Sequence, residues 1–151
     1  MTDKQKEVQT FLSKAFKVDK QIDLDTAKLE SMRDALHGKA MNYENDGSQH
    51  NPNGNSVENA ILKVIEYNEK INAEIDELID LKLEIEKIVN KVTDDIQREI
   101  LTRKYLLFQT WDGYYDKKAE QYVKGIYDEM HYSRRRIFQL HLNALDCIEL
   151  H

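Results

Sequence analysis

The sequence predicts an all-α protein: a long antiparallel helical hairpin of coiled-coil type over residues 1–92, then a shorter helical module over residues 93–151. Three observations predict it. Charged residues make up 33% of the 151-residue chain, with five Gly and one Pro, a balance that favours helices over a sandwich or barrel. Apolar residues recur every seven positions at Val57, Val64, Ile71, Leu78, Ile85 and Val92. Near the C-terminus Ser133 precedes a stripe of helical period, Ile137, Leu140, Ala144, Leu145 and Ile148.

Residues 3–37 read as one long helix. Val8, Phe11, Ala15, Val18, Ile22, Leu29, Met32 and Leu36 follow alternating steps of three and four, with Leu12 and Phe16 widening the seam and Asp25 interrupting it. The pattern stops near His37-Gly38. Residues 38–55 read as a linker, because Gly38, Gly47, Pro52, Gly54 and the asparagines at 42, 45, 51, 53 and 55 favour turns and supply no core.

Asn55 and Glu58 stand at capping-box spacing and restart a helix. Its seven-residue stripe has apolar companions at Ile61, Ile75 and Val89, broken by Asn68 and Lys82. A helix of about 36 residues extends roughly 54 Å. Two such helices joined by a loop fold back on one another as an antiparallel pair. One seam leaves Leu81, Leu83 and Ile88 on other faces, so self-association into a dimeric four-helix bundle is expected. Asn68 is either a register-setting position of that bundle or a solvated one.

Thr93-Asp94-Asp95 starts a third helix, its carboxylates placed to suit the helix dipole. Ile96, Ile100, Leu101, Tyr105 and Leu107 form the expected inner face, while Arg98, Arg103 and Lys104 face outward. Thr110 is placed to cap a following segment that contains Trp111. After a polar stretch from Asp112 to Gln121 comes a second apolar group, Tyr122, Val123, Ile126 and Met130, and His131-Tyr132 turns the chain into Ser133. Ser133 is a good N-cap. Arg134, Arg135 and Arg136 then crowd the positive end of the helix dipole, each unfavourable by about 0.3–1 kcal/mol at a surface site. The same place suits an anion, since unpaired amides and dipole both favour phosphate.

Charge limits what such a patch achieves. The net charge is −6. Residues 1–92 hold 13 Lys/Arg and 18 Asp/Glu, net −5, and residues 93–151 hold 9 and 10, net −1. Blanket affinity for nucleic acid is therefore not expected, and a focused patch on a monomer should bind weakly. The acidic run Glu74, Asp76, Glu77, Asp80, Glu84 and Glu86 is interleaved with Lys82 and Lys87 and reads as a solvated face. The histidines at 37, 50, 131, 141 and 151 form no metal or catalytic pattern, and no phosphate loop or catalytic triad order is present. No enzyme, cofactor or metal site is expected. The single cysteine, Cys147, excludes an internal disulfide and reads as a small half-buried residue. No run of about 18 apolar residues occurs and the polar first residues lack a signal core, so a cytoplasmic protein without membrane spans is expected.

The segments Gln97–Leu106, Ile126–Tyr132 and Ser133–Leu145 resemble the region-4 helix-turn-helix of sigma-70-type factors. The resemblance is closer still to phage late transcription regulators of the ArpU/RinA-like group, which join a helical N-terminal half to such a module. It implies an all-α fold with a helical hairpin over 1–92 and a helix-turn-helix domain over 93–151, and a dimeric, sequence-specific DNA-binding transcriptional regulator in a bacterial host cell. By this resemblance Ser133 caps a recognition helix, Arg134, Arg135 and Gln139 face the major groove, and Arg136 reaches phosphate. Phe138 and Asn143 complete the exposed face, and Arg103 and Lys104 hold the DNA backbone beside the first helix. Arg reads guanine and Gln reads adenine through paired hydrogen bonds, each good pair giving about 1–3 kcal/mol of discrimination. RNA polymerase is a further candidate partner, either beside DNA or as the sole target of a coiled-coil adaptor. A small-terminase-like DNA-packaging subunit is the other alternative.

Two departures stand out. About a dozen extra residues separate Trp111 from Ile126. Either Trp111 keeps its family role and the insert 112–125 bulges, or Val123 takes that role and 108–121 is an enlarged loop. Phe138 also stands where sigma region 4 often has a polar reader, so base preference does not carry over.

Overall fold

In the computed structural model, residues 1–45 and 54–150 are described, with side chains outside 39–55. The protein is mostly helical: α1 (Asp3–Leu12), α2 (Lys14–Asn45), α3 (Gly54–Val89), α4 (Asp95–Leu101), α5 (Ile126–Glu129) and α6 (Arg134–Asp146). A π-helical turn, Thr102–Leu106, extends α4, and two short antiparallel strands, β1 (Tyr114–Asp116) and β2 (Gln121–Val123), precede α5. No helix among the described residues is long and apolar enough to cross a membrane.

Two compact units result, and they do not divide at 92/93. One comprises Met1–Lys17 with Ile79–His151, the other Val18–Leu78. The N-terminal helix joins the first unit through polar bonds. Thr2 and Gln5 form a reciprocal capping box on α1, Gln5 N to Thr2 Oγ1 at 3.1 Å and Thr2 N to Gln5 Oε1 at 2.8 Å. The buried Gln5 amide then donates to Asp146 Oδ2 at 3.0 Å and to the Leu142 carbonyl at 3.4 Å. Lys4 pairs with Glu149 at 2.8 Å. These bonds, with buried Val8 and Leu12, dock α1 on α6, and the single helix expected over 3–37 is interrupted at Ser13 (ψ −5°).

The helix continues beyond Gly38. A glycine inside a helix costs about 1 kcal/mol relative to alanine but does not terminate it, and α2 runs on to Asn45. The linker expected over 38–55 is therefore helical over 38–45, and 46–53 lie outside the described residues. Asn55 lies inside α3, which begins at Gly54, instead of capping it.

In the unit 18–78, Leu29 and Ile71 are buried, and so is Asp25, the polar interruption of the seam. Asp25 Oδ1 accepts from the Tyr67 hydroxyl and from Gln21 Nε2, each at 3.0 Å, and Lys28 and Lys70 lie 3.6 and 3.7 Å from its oxygens. A hydrogen bond with Glu74, then those from Gln21 and Tyr67, hold its carboxyl down at about 2 against the cost of burial. Burial and the facing Asp25 raise Glu74. Glu74, read from sequence as part of a solvated face, is thus turned into the seam.

In the other unit, α4 starts within the expected Thr93-Asp94-Asp95 stretch, and Asp94 is its N-cap, accepting from Gln97 N at 2.9 Å. Ile100, Leu101 and Tyr105 are buried, but Leu107 is 66% exposed. The reason is the π turn: Leu107 N bonds to Thr102 O at 3.0 Å, five residues back, which adds a residue to the turn and rotates later side chains off the expected face. Arg98 turns back to donate to the Val92 carbonyl at 2.9 Å. Cys147 is exposed, not half-buried.

Candidate nucleic-acid interface

Helix α6 is positioned by its apolar side. Ile137 and Leu140 join Ile100, Ile126 and Met130 in one core cluster, with Ile96, Trp111 and Tyr127 packed against it. Ala144, Leu145 and Ile148 continue the buried stripe. Ser133, in an extended conformation, accepts from Arg136 N at 3.1 Å and caps the helix.

The segment 112–125 bulges out. Ile126 N bonds to Thr110 O at 2.8 Å and Tyr127 N to Trp111 O at 3.1 Å, so the chain before and after the insert is stitched directly together. Trp111 packs on Tyr127 and edge-on to His141, with ring centroids 5.9 and 4.9 Å apart. The insert itself is the β1–β2 hairpin, with Tyr122 exposed and not part of an apolar helix face. The Thr110 hydroxyl donates to the Asp112 carbonyl at 2.6 Å and caps nothing. At the neck of the hairpin Gly125 is obligatory in packing terms: a Cβ there would lie 2.5 Å from Trp111 O and 2.6 Å from Gly113 N. Asp128 fastens the hairpin to α5, accepting from Gly125 N and the Tyr122 hydroxyl at 2.9 Å each. Those bonds, the backbone one foremost, lower the Asp128 carboxyl and raise the Tyr122 phenol.

This framework sorts the cationic side chains. Arg134 is held sideways, its guanidinium 2.7 Å from Asp112 Oδ1 and 5.1 Å from the centroid of the Tyr127 ring. Arg135, Arg136, Ser133 and Gln139 line one shallow exposed cleft. Gln139 Nε2 donates to Asn143 Oδ1 at 3.2 Å, aligning the two amides one turn apart, and Phe138 is 51% exposed beside them. Arg103 is engaged by Glu129 at 2.6 Å, Glu99 at 3.3 Å and Gln109 at 3.2 Å. Lys104 is half-buried with its ammonium 5.1 Å from the Trp111 ring centroid, and burial lowers its pKa. The structure thus gathers Ser133, Arg135, Arg136, Gln139 and Asn143 on α6, and commits Arg103 and Lys104 to contacts within the protein.

Three supporting residues escape a reading of the sequence, of which Asp112 and Glu129 carry no signal. Asp112 lies in a polar stretch with nothing to single it out. Glu129 is one carboxylate among many. His141 was legible in principle, since it follows Ile137 by four residues and precedes Ala144 by three, which places it on the buried side of α6. Comparison of the chain with family models, curated proteins and solved structures gives no match.

Proposed function

We propose that this chain is a sequence-specific DNA-binding transcriptional regulator of phage or prophage type, acting as a dimer in the cytoplasm of a bacterial host. In this reading α5 and α6 form the helix-turn-helix, and α2 and α3 the arms of an antiparallel hairpin that brings two copies together. The observation that carries it is the exposed side of α6. A serine-capped helix, buried along Ile137, Leu140 and Ala144, turns Arg135, Arg136 and Gln139 to solvent around one cleft, with half-buried Asn143 hydrogen-bonded to Gln139.

The chemistry suits a groove. Arg135 and Gln139, four residues apart, share one side of the helix and match guanine and adenine edges. Arg136, beside the open first turn, suits a phosphate. Phe138 suits the methyl group of thymine. Arg134 supports the helix from Asp112 and Tyr127, a smaller part than a direct base contact. With a net charge of −6, the rest of the chain adds no general attraction for DNA.

Selection of bound duplexes from random DNA with the purified protein tests the reading. A recurring motif, whose binding weakens tenfold or more in both Arg135→Ala and Gln139→Ala, is expected. No enrichment, or enrichment insensitive to both substitutions, would overturn it.

A further inference from the structure

The α3 helix carries a second apolar row besides its buried one. Ile61, Ile65, Ile75 and Ile79 are 42, 49, 39 and 51% exposed, with exposed Leu62 and Leu83 beside them. Relative to the seven-residue stripe Val57, Val64, Ile71 and Leu78, of which Ile71 is buried and the others half-buried, the row occupies sites one and four residues further on: Glu58, Ile61, Ile65, Asn68, Asn72, Ile75, Ile79 and Lys82. Spacing by alternating threes and fours is that of a packing seam. A helix with two such seams packs on two sides.

The row is also symmetric about Lys70. Reading outward from that residue, Asn68 matches Asn72, Ile65 matches Ile75, Ile61 matches Ile79, and Glu58 matches Lys82. A twofold antiparallel contact requires this pattern, because residue i then meets j while j meets i.

We infer that α3 pairs through this row with α3 of a second copy of the chain, antiparallel, with the twofold axis level with Lys70. Each isoleucine meets an isoleucine, and the asparagine amides, which both donate and accept, meet one another. Glu58 meets the opposite charge of Lys82. Lys82 also lies 4.6 Å from the centroid of Phe108, so this outermost pair is the weakest of the four. The asparagines set the register: a slip of one heptad would bury Asn68 against Ile65 and Asn72 against Ile61. The inference rests on the reading of the chain as a dimer and does not depend on DNA.

Solution mass and cysteine cross-linking test it. The full chain is expected at twice its 17.8 kDa mass. The double variant Ile65→Asp/Ile75→Asp is expected at one chain, with unchanged helicity because both sites are exposed. In a Cys147→Ser background, Glu58→Cys and Lys82→Cys chains should form disulfides when mixed and neither should when alone. Like residues at position 58 would lie about 36 Å apart in the antiparallel pair. A native chain of single mass overturns both the dimer and this contact. A dimer that survives the double aspartate variant, or that cross-links like with like, overturns the contact and leaves the dimer standing.

Discussion

The Tyr105 hydroxyl lies 2.7 Å from His141 Nε2, and the two rings stack with centroids 5.8 Å apart. The pair ties the π turn to α6 in the interior. Burial, with a smaller contribution from the nearby Lys104 charge, pushes His141 down to about 4. Burial pushes the Tyr105 phenol up to about 12, so the pair is neutral across the physiological range.

A pH dependence follows. A histidine with a depressed folded pKa contributes stability that is fully present above its unfolded value of about 6.5 and is lost as pH falls toward about 4. Between pH 7.5 and 4.5 the loss should be on the order of 2–3 kcal/mol from this group. Urea unfolding of the native chain and of His141→Phe at both pH values isolates it, because carboxylate contributions are common to the two. An equal fall in both proteins would refute the assignment.

The Arg134–Asp112 pair predicts a gain. Both side chains are largely exposed, so the ion pair adds at most about 1 kcal/mol to stability. Asp112→Asn should therefore leave the melting temperature nearly unchanged while releasing Arg134 and removing one negative charge next to α6. DNA affinity should rise, and the slope of log K against log salt should steepen by up to about 0.9 if Arg134 then contacts a phosphate. Arg136→Ala should make the slope shallower by a similar amount. Titrations at several salt concentrations check both signs.

Gly125 predicts a loss of fold in the same region. An alanine there would press its Cβ on backbone atoms of residues 111–113, which cannot rotate away as a side chain could. Overpacking of this kind costs about 1–3 kcal/mol, and backbone crowding belongs at the upper end. Denaturation of Gly125→Ala measures it. If the substitution is neutral, the neck of the hairpin is looser than the bonds from Ile126 and Tyr127 to Thr110 and Trp111 indicate.

The contrast between these residues shows what periodicity carries. The α6 stripe and the buried positions Ile71 and Ile85 were legible because a helix repeats its burial every few residues, and the Ser133 cap because a serine stands just ahead of that stripe. The π turn displaces Leu107, yet nothing in Thr102–Leu106 departs from ordinary helical composition. The β-hairpin is three residues a strand, too short to display an alternation. The pairing of Arg134 with Asp112 joins residues distant in sequence through a fold that only the tertiary contacts define. Propensity also misjudged Gly38, where the helix runs on because one glycine weakens a helix without breaking it.

Asp25 and Glu74 yield the last prediction. Asp25, held at about 2 by Glu74, Gln21 and Tyr67, contributes stability that is present above its ordinary value and lost as pH falls. Glu74 works in the opposite sense: its raised pKa means a contribution present at low pH and lost as pH rises through its folded value. Above that value two carboxylates face each other in the seam, with Lys70 3.7 Å from the first and 3.9 Å from the second. Glu74→Gln keeps a donor toward Asp25 at every pH, so it should raise the melting temperature at pH 8 and flatten its dependence between pH 5 and 8. Asp25→Asn removes the charge that Gln21 and Tyr67 hydrogen-bond, and should lower the melting temperature across the same range. A stabilising Asp25→Asn together with a destabilising Glu74→Gln would mean that Glu74, and not Asp25, is the ionised member of the pair.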